Sequence, residues 1–246
     1  MKKTLFVLAT ALALSQSSYA TISYDQTITS IFGNGNIDTG WTVDTEANGI
    51  QLGLRAKGRT DTIYNNTAPN SSGVYSFASN AGVRGAYNYE FSINSGSVNL
   101  IAYDFYLAVD RNPSQGISYS TVVPLTYWAD NSYGNNSTAN SAGAEPTDAA
   151  QNLVFISGLN LAQNSEALTF PDFPGGALPL VNDATYSYDL YAVAKGNGAN
   201  GTRIADVGIT VNVGAGGARV PDAGSTCMML GMAVAGIAGL RRKFAA

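Results

Sequence analysis

Hydrophobic and polar residues alternate along four stretches of this chain. Ile50, Leu52, Leu54 and Ala56 alternate with Gln51, Gly53, Arg55 and Lys57, and Tyr87, Tyr89, Phe91 and Ile93 with Asn88, Glu90, Ser92 and Asn94. Tyr103, Phe105, Leu107 and Val109 share a face against Asp104, Tyr106 and Ala108, and Val207, Ile209, Val211 and Val213 alternate with Asp206, Gly208, Thr210 and Asn212. Successive side chains of a strand point to opposite faces, so each stretch predicts a strand with one buried face. Less regular strand candidates lie at 118–128, 152–161 and 186–194. Clusters of Gly, Asn, Ser and Pro separate them and mark turns. No part of 21–219 sustains a 3.6-residue period over three turns. Many strands with no helices to bridge parallel pairs predict an all-β domain, with antiparallel sheets packed as a β-sandwich or jelly roll.

Two segments are irregular. Residues 130–150 are rich in Asn, Ser, Gly and Ala and lack apolar anchors, which predicts a flexible loop. Residues 170–179 combine Phe170 and Phe173 with three prolines, and their aromatics suit tacking the loop onto the core.

The two ends have a different pattern. Lys2 and Lys3 precede an apolar run from Leu5 to Leu14, and Ser18 and Ala20 are small residues before Thr21. This is the layout of a secretory signal peptide over 1–20, cut between Ala20 and Thr21. At the other end no charged residue occurs from Ala223 to Leu240, a run of 18 residues, and Arg241, Arg242 and Lys243 follow. At about 1.5 Å per residue this run is near the lower limit for crossing a hydrocarbon core of about 30 Å. The basic residues form a stop that stays cytoplasmic, which puts 21–219 outside the cytoplasm.

The tail joins a short motif, Val220-Pro221-Asp222-Ala223-Gly224, to this apolar run and basic cluster. In that order the parts resemble the C-terminal sorting signals of the PEP-CTERM class, close to the variant whose motif reads Val-Pro-Asp-Ser-Gly. Ala223 stands where that variant has serine. The resemblance implies an exosortase as partner, a membrane-embedded cysteine transpeptidase that processes the protein near the motif. It also implies release from the anchor to the cell surface or matrix, in company with exopolysaccharide. Gly40-Trp41-Thr42-Val43, Ile50 to Lys57, Tyr127-Trp128-Ala129-Asp130-Asn131 and Ala162 to Glu166 resemble recurring blocks of exported proteins in this class.

Composition narrows the chemistry. The chain carries 13 basic and 17 acidic residues. Without Lys2, Lys3, Arg241, Arg242, Lys243 and Asp222, the domain 21–219 keeps 8 basic and 16 acidic residues, a net charge near −8. So acidic a surface is poorly suited to nucleic acid. There is no histidine, which removes Ser-His-Asp and Cys-His catalysis and every His-ligated metal. The single cysteine, Cys227, lies in the tail, so the domain forms no internal disulfide.

Carboxylates remain. Glu46, Glu90, Asp104, Asp110, Asp130, Glu145 and Glu166 are the candidates for a glycosidase pair, against the simpler expectation of solvent-facing acids. Calcium is the other carboxylate option, with Asp110, Asn112, Asp130 and Asn131 the best local clusters and no ligand set assignable. No other cofactor is expected. Gly196, Gly198 and Gly201 match a dinucleotide fingerprint by letter, but a strand follows them where that motif requires a helix, so the run predicts a hairpin loop.

The expected function is that of an exported, non-enzymatic surface or matrix protein. It would pass through the secretion machinery and stay on the membrane by its tail until processed. One alternative is a carbohydrate-binding module in which exposed Trp41, Trp128 or Tyr133 stack on sugar rings. Another is a carboxylate glycosidase.

Overall fold

The computed structural model describes residues 21–33, 38–59, 68–78 and 85–216. The signal peptide 1–20, the cleavage point at Ala20 and the tail 220–246 with its expected helix lie outside them. Among the described residues no helix is long and apolar enough to cross a membrane.

Among the described residues eleven strands and two α-helices follow in chain order, with a 3-10 turn at Leu100–Ala102: β1 Ser23–Gln26, β2 Trp41–Thr45, β3 Gln51–Gly58, β4 Val74–Phe77, β5 Tyr87–Asn94, β6 Tyr103–Asp110, β7 Tyr119–Val122, α1 Pro124–Tyr127, β8 Ser132–Gly134, α2 Ala149–Gly158, β9 Leu161–Glu166, β10 Ala184–Ala194 and β11 Arg203–Val213. The strands form a six-stranded sheet, β1-β2-β3-β5-β9-β8, and a five-stranded sheet, β4-β11-β10-β6-β7. All four alternating stretches are central strands. Their apolar faces meet in one core that draws Leu52, Leu54, Phe91 and Ile93 from the first sheet, and Phe105, Leu107, Tyr188, Val207 and Ile209 from the second. This is a sandwich arrangement. The glycine run 196–201 is the turn of the β10–β11 hairpin, as the strand that follows it predicted.

Tyrosines reach deep into this core because they meet one another. The hydroxyls of Tyr87 and Tyr188 lie 2.7 Å apart, and the rings of Tyr89 and Tyr188 stack at 4.6 Å. Tyr87 and Tyr188 thereby satisfy each other's hydroxyls, whereas the buried Tyr89 hydroxyl has no hydrogen-bond partner among the described residues and is held by ring packing alone.

Three expectations are corrected. First, the sheets are not wholly antiparallel, because β4 runs parallel to β11. The chain crosses from β3 in one sheet to β4 at the edge of the other, so no tight hairpin dictates the direction of β4. Second, residues 130–150 are not a structureless loop. β8 pairs with β9, and Tyr133 and Ala144 exchange two backbone hydrogen bonds of 2.8 and 2.9 Å.

Third, the strand expected at 152–161 is largely helix α2. Asp148 caps it, accepting from the Gln151 amide at 2.8 Å, while Gln151 Oε1 accepts from the Thr147 amide at 2.6 Å. This is a variant of the capping box, in which the returning bond lands one residue before the cap. Only Asn152 and Ile156 are buried on α2, whereas Leu153 and Val154 are 61% and 63% exposed. The apolar residues therefore spread around the helix, and no helical period survives in the sequence. Asp148→Ala should cost about 1 kcal/mol in urea denaturation, the usual worth of such a cap. An unchanged midpoint would remove the cap from the account of α2.

The outer face of the six-stranded sheet is covered as well. Ile28, Phe32, Trp41 and Val43 form a second, small apolar cluster there. Residues 28–31 are pinned across the sheet: Gln163 Oε1 accepts from the Ile31 amide at 2.7 Å, and Gln163 Nε2 donates to the Thr29 carbonyl at 2.8 Å. Gly53 makes the close approach possible, since a Cβ there would sit 3.2 Å from Ile28 Cδ1 and from Trp41 Cε3.

Candidate functional site

The three aromatics expected to stack on sugars are all buried, so their ring faces are not open platforms. Trp41 lies under the covering segment, with the Arg55 guanidinium 4.5 Å from its ring. Trp128 packs on Phe91 at 5.7 Å. Tyr133 sits on the inner face of β8 and donates from its hydroxyl to the Leu125 carbonyl at 2.9 Å. Large apolar rings go where they remove most surface from water, and alternation on a strand did not reveal that both faces of this sheet are covered.

The carboxylates divide by role. Glu90, expected at the surface, is fully buried on the outer face of β5. It pairs with Arg55 and with Lys57 at 2.6 Å, and accepts from Ser165 Oγ at 3.0 Å. Asp104 binds Lys195 at 2.8 Å, which draws its carboxyl below the ordinary range. Asp110 Oδ1 accepts from the amides of Asn112 and Ser118 at 2.9 and 2.8 Å, so it closes a turn. Glu46 is half-buried in the β2–β3 turn, and Asp130 and Glu145 are exposed. Glu166 is the exception. It lies buried opposite Tyr89 in the register of β5 and β9, and its Oε2 has no hydrogen-bond partner among the described residues. Burial first, then the charges of Asp172 and Asp130, push its pKa up to about 9. Among the described residues no three acids gather in a group able to hold a metal ion.

What the fold does bring together is a cleft of about 180 Å3 between α1 and the first turn of α2. α1 links the edge strand of one sheet to the edge strand of the other and so closes that side of the sandwich. Pro124 opens it at the first helical position, where a missing N–H costs nothing. Asn131 fixes the exit: its Nδ2 donates to the carbonyls of Pro124 and Trp128 at 2.9 and 3.3 Å. The result is that Tyr127 points its ring outward, 41% exposed, edge-on to Trp128 at 4.9 Å. Asn152 of α2 reaches across and donates to the Leu125 carbonyl at 2.9 Å. Among the described residues Asp148 is the one carboxylate lining this cleft. Of the wall, only Trp128 was singled out in the sequence. Tyr127 beside it entered only as part of the block Tyr127–Asn131 and not as a site residue, because an exposed aromatic has no periodic signature.

The tail supplies the decisive comparison. Residues 219–244 match the family model of the VPDSG-CTERM motif. The chain ends in a PEP-CTERM-like sorting signal. A VPDSG-CTERM signal implies an exported protein handled by an exosortase-type enzyme, and the matched span includes Val220 to Gly224 and the basic residues 241–243. No curated protein and no solved structure matches the chain.

Proposed function

We propose that this is a non-enzymatic cell-surface or extracellular-matrix protein, cut by an exosortase near Val220-Pro221-Asp222-Ala223-Gly224 and accompanying exopolysaccharide. The VPDSG-CTERM match carries the reading. In it, the signal peptide 1–20 starts export, the apolar run 223–240 holds the chain in the membrane, and Arg241, Arg242 and Lys243 stop transfer. The β-sandwich is then the displayed cargo. Support for a non-catalytic cargo comes from its side chains. No histidine is present, and the buried or paired acids Glu90, Asp104 and Asp110 serve ion pairs and turns. The single carboxylate of the cleft does not supply the acid and nucleophile that glycoside cleavage needs.

Deleting 220–246 in the producing cell should move the domain from the cell surface to the medium. Fractionation and blotting would read this. Asp222→Ala in the full chain should instead leave uncut precursor in the membrane fraction. Unchanged localisation of both variants would overturn the proposal.

A further inference from the structure

We propose that the outer face of the five-stranded sheet binds one ring of an uncharged glycan, in the groove over Gly208. Register settles which side chains stand there. Ser187 and Asp189 of β10 pair with Thr210 and Gly208 of β11, and they alternate with Tyr186, Tyr188 and Leu190, which point into the core. These four residues therefore share the outer face. Tyr119 of the edge strand β7 joins them, because it pairs with Asp110, which follows the core residue Val109 on β6. Gly208 and Tyr119 are exposed, and Ser187, Asp189 and Thr210 are half-buried, so solvent reaches all five. With Ser72 they line a groove of about 190 Å3.

Gly208 carries the argument. It lies inside a strand of 11 residues, in regular register and without a positive φ. A Cβ there would meet only the Tyr188 carbonyl oxygen, at an ordinary 3.6 Å. The fold thus has room for a side chain, and glycine costs backbone entropy in a strand. What glycine provides is bare backbone on the outer surface, the mark of a strand that something approaches closely. The surroundings fit a sugar ring. Tyr119 forms one wall, where the apolar face of a pyranose can rest. The hydroxyls of Ser187 and Thr210 and the carboxylate of Asp189 suit the ring hydroxyls. Arg203 fixes that carboxylate with bonds of 3.1 and 2.6 Å. The same guanidinium also pairs with Asp206 at 3.1 Å, so two carboxylates share one cation and negative charge stays in excess beside the groove. The domain is acidic overall, so a uronate would be repelled and an uncharged ring preferred. The groove is smaller than the roughly 300–1,000 Å3 of clefts that hold drug-sized ligands, which suits a single ring of a longer chain crossing the sheet. This inference is independent of the export reading, since a chain that is wrongly sorted keeps the groove.

The test uses the full-length chain in a detergent without a sugar headgroup. Cellotetraose, maltotetraose, mannotetraose and chitotetraose are the neutral probes and tetragalacturonate the charged one, read by saturation-transfer NMR and calorimetric titration. At least one neutral probe should bind, and tetragalacturonate should bind more weakly. Gly208→Val fills the groove where the ring would lie. Valine suits a strand, so this variant should keep or raise the thermal midpoint while it loses binding. Tyr119→Ala removes the wall from an exposed position. Each should weaken binding about tenfold or more, the scale of one lost ring contact. Tyr119→Ala should leave the thermal midpoint unchanged, which keeps the test valid if Gly208→Val folds poorly. Silence from all four neutral probes, equal binding of tetragalacturonate, or full binding by either folded variant would each overturn the proposal.

Discussion

Glu90→Ala is expected to destabilise the domain by about 3–5 kcal/mol, the range found when one member of a buried ion pair is removed. The reason is the geometry on the outer face of the six-stranded sheet. Glu90 is fully buried and faces two cations at once, Arg55 on its Nε and Lys57 on its Nζ, with Ser165 Oγ donating as well. Arg55 is itself buried, held by Trp41 on one side and by the Thr39 carbonyl at 2.7 Å. Removing the carboxylate leaves both positive charges desolvated on a covered face. Glu90→Gln keeps the volume but not the charge, so it should fall in the same range. Replacing the cluster together, as Arg55→Met, Lys57→Met and Glu90→Leu, should recover most of the loss, because an apolar cluster carries no desolvation penalty. Urea denaturation at constant m-value measures all three. A loss under about 1 kcal/mol for Glu90→Ala would mean that this face opens to water more readily than its packing implies.

The same cluster shows where the sequence stops being legible. Alternation placed Leu52, Leu54, Phe91 and Ile93 inward correctly, because the core between two sheets imposes a strict period of two. It put Arg55, Lys57 and Glu90 outward, and outward was right. The missing information was that Ile28 and Phe32 lie over that face, a long-range contact that leaves no local period. A carboxylate registered between two cations, with Arg55 opposite Glu90 on adjacent strands, could have hinted at mutual burial once the strand pairing was known. Helix α2 was hidden differently. Its Asp148-x-x-Gln151 cap was readable, but Leu153 and Val154 face solvent and blur the helical stripe. The candidate site shared this fate. Trp128 was noticed for its ring, whereas its burial against Phe91 and Tyr127 is something only packing can reveal. The sorting motif was legible because its information is linear and needs no fold, and residues 219–244 match the family model accordingly.

Glu166 should make the domain lose stability as pH rises, and Glu166→Gln should abolish that loss. In the folded chain its pKa is pushed up to about 9, against an ordinary value of 4.5. Burial is the main cause, with Asp172 and Asp130 adding repulsion, and among the described residues Oε2 has no partner to hold a negative charge. The direction of the effect follows from proton binding. Below the ordinary value both states carry the proton, and the folded state keeps its full advantage. Above it the unfolded chain releases the proton while the folded chain retains it, so unfolding gains about 1.4 kcal/mol per pH unit. The loss continues until the folded carboxyl also ionises and then levels off. Between the two values the total is on the order of 6 kcal/mol. The glutamine amide of the variant is neutral at every pH and cannot contribute this slope. Wild type and variant should therefore have similar stability at about pH 5 and separate by several kcal/mol at about pH 8.5, with the variant more stable. Other groups titrate equally in both proteins, so the difference between the two profiles isolates this carboxyl. Parallel profiles would show that Glu166 is ionised in the folded chain, and then its charge must be met by a group that reaches Oε2 in solution.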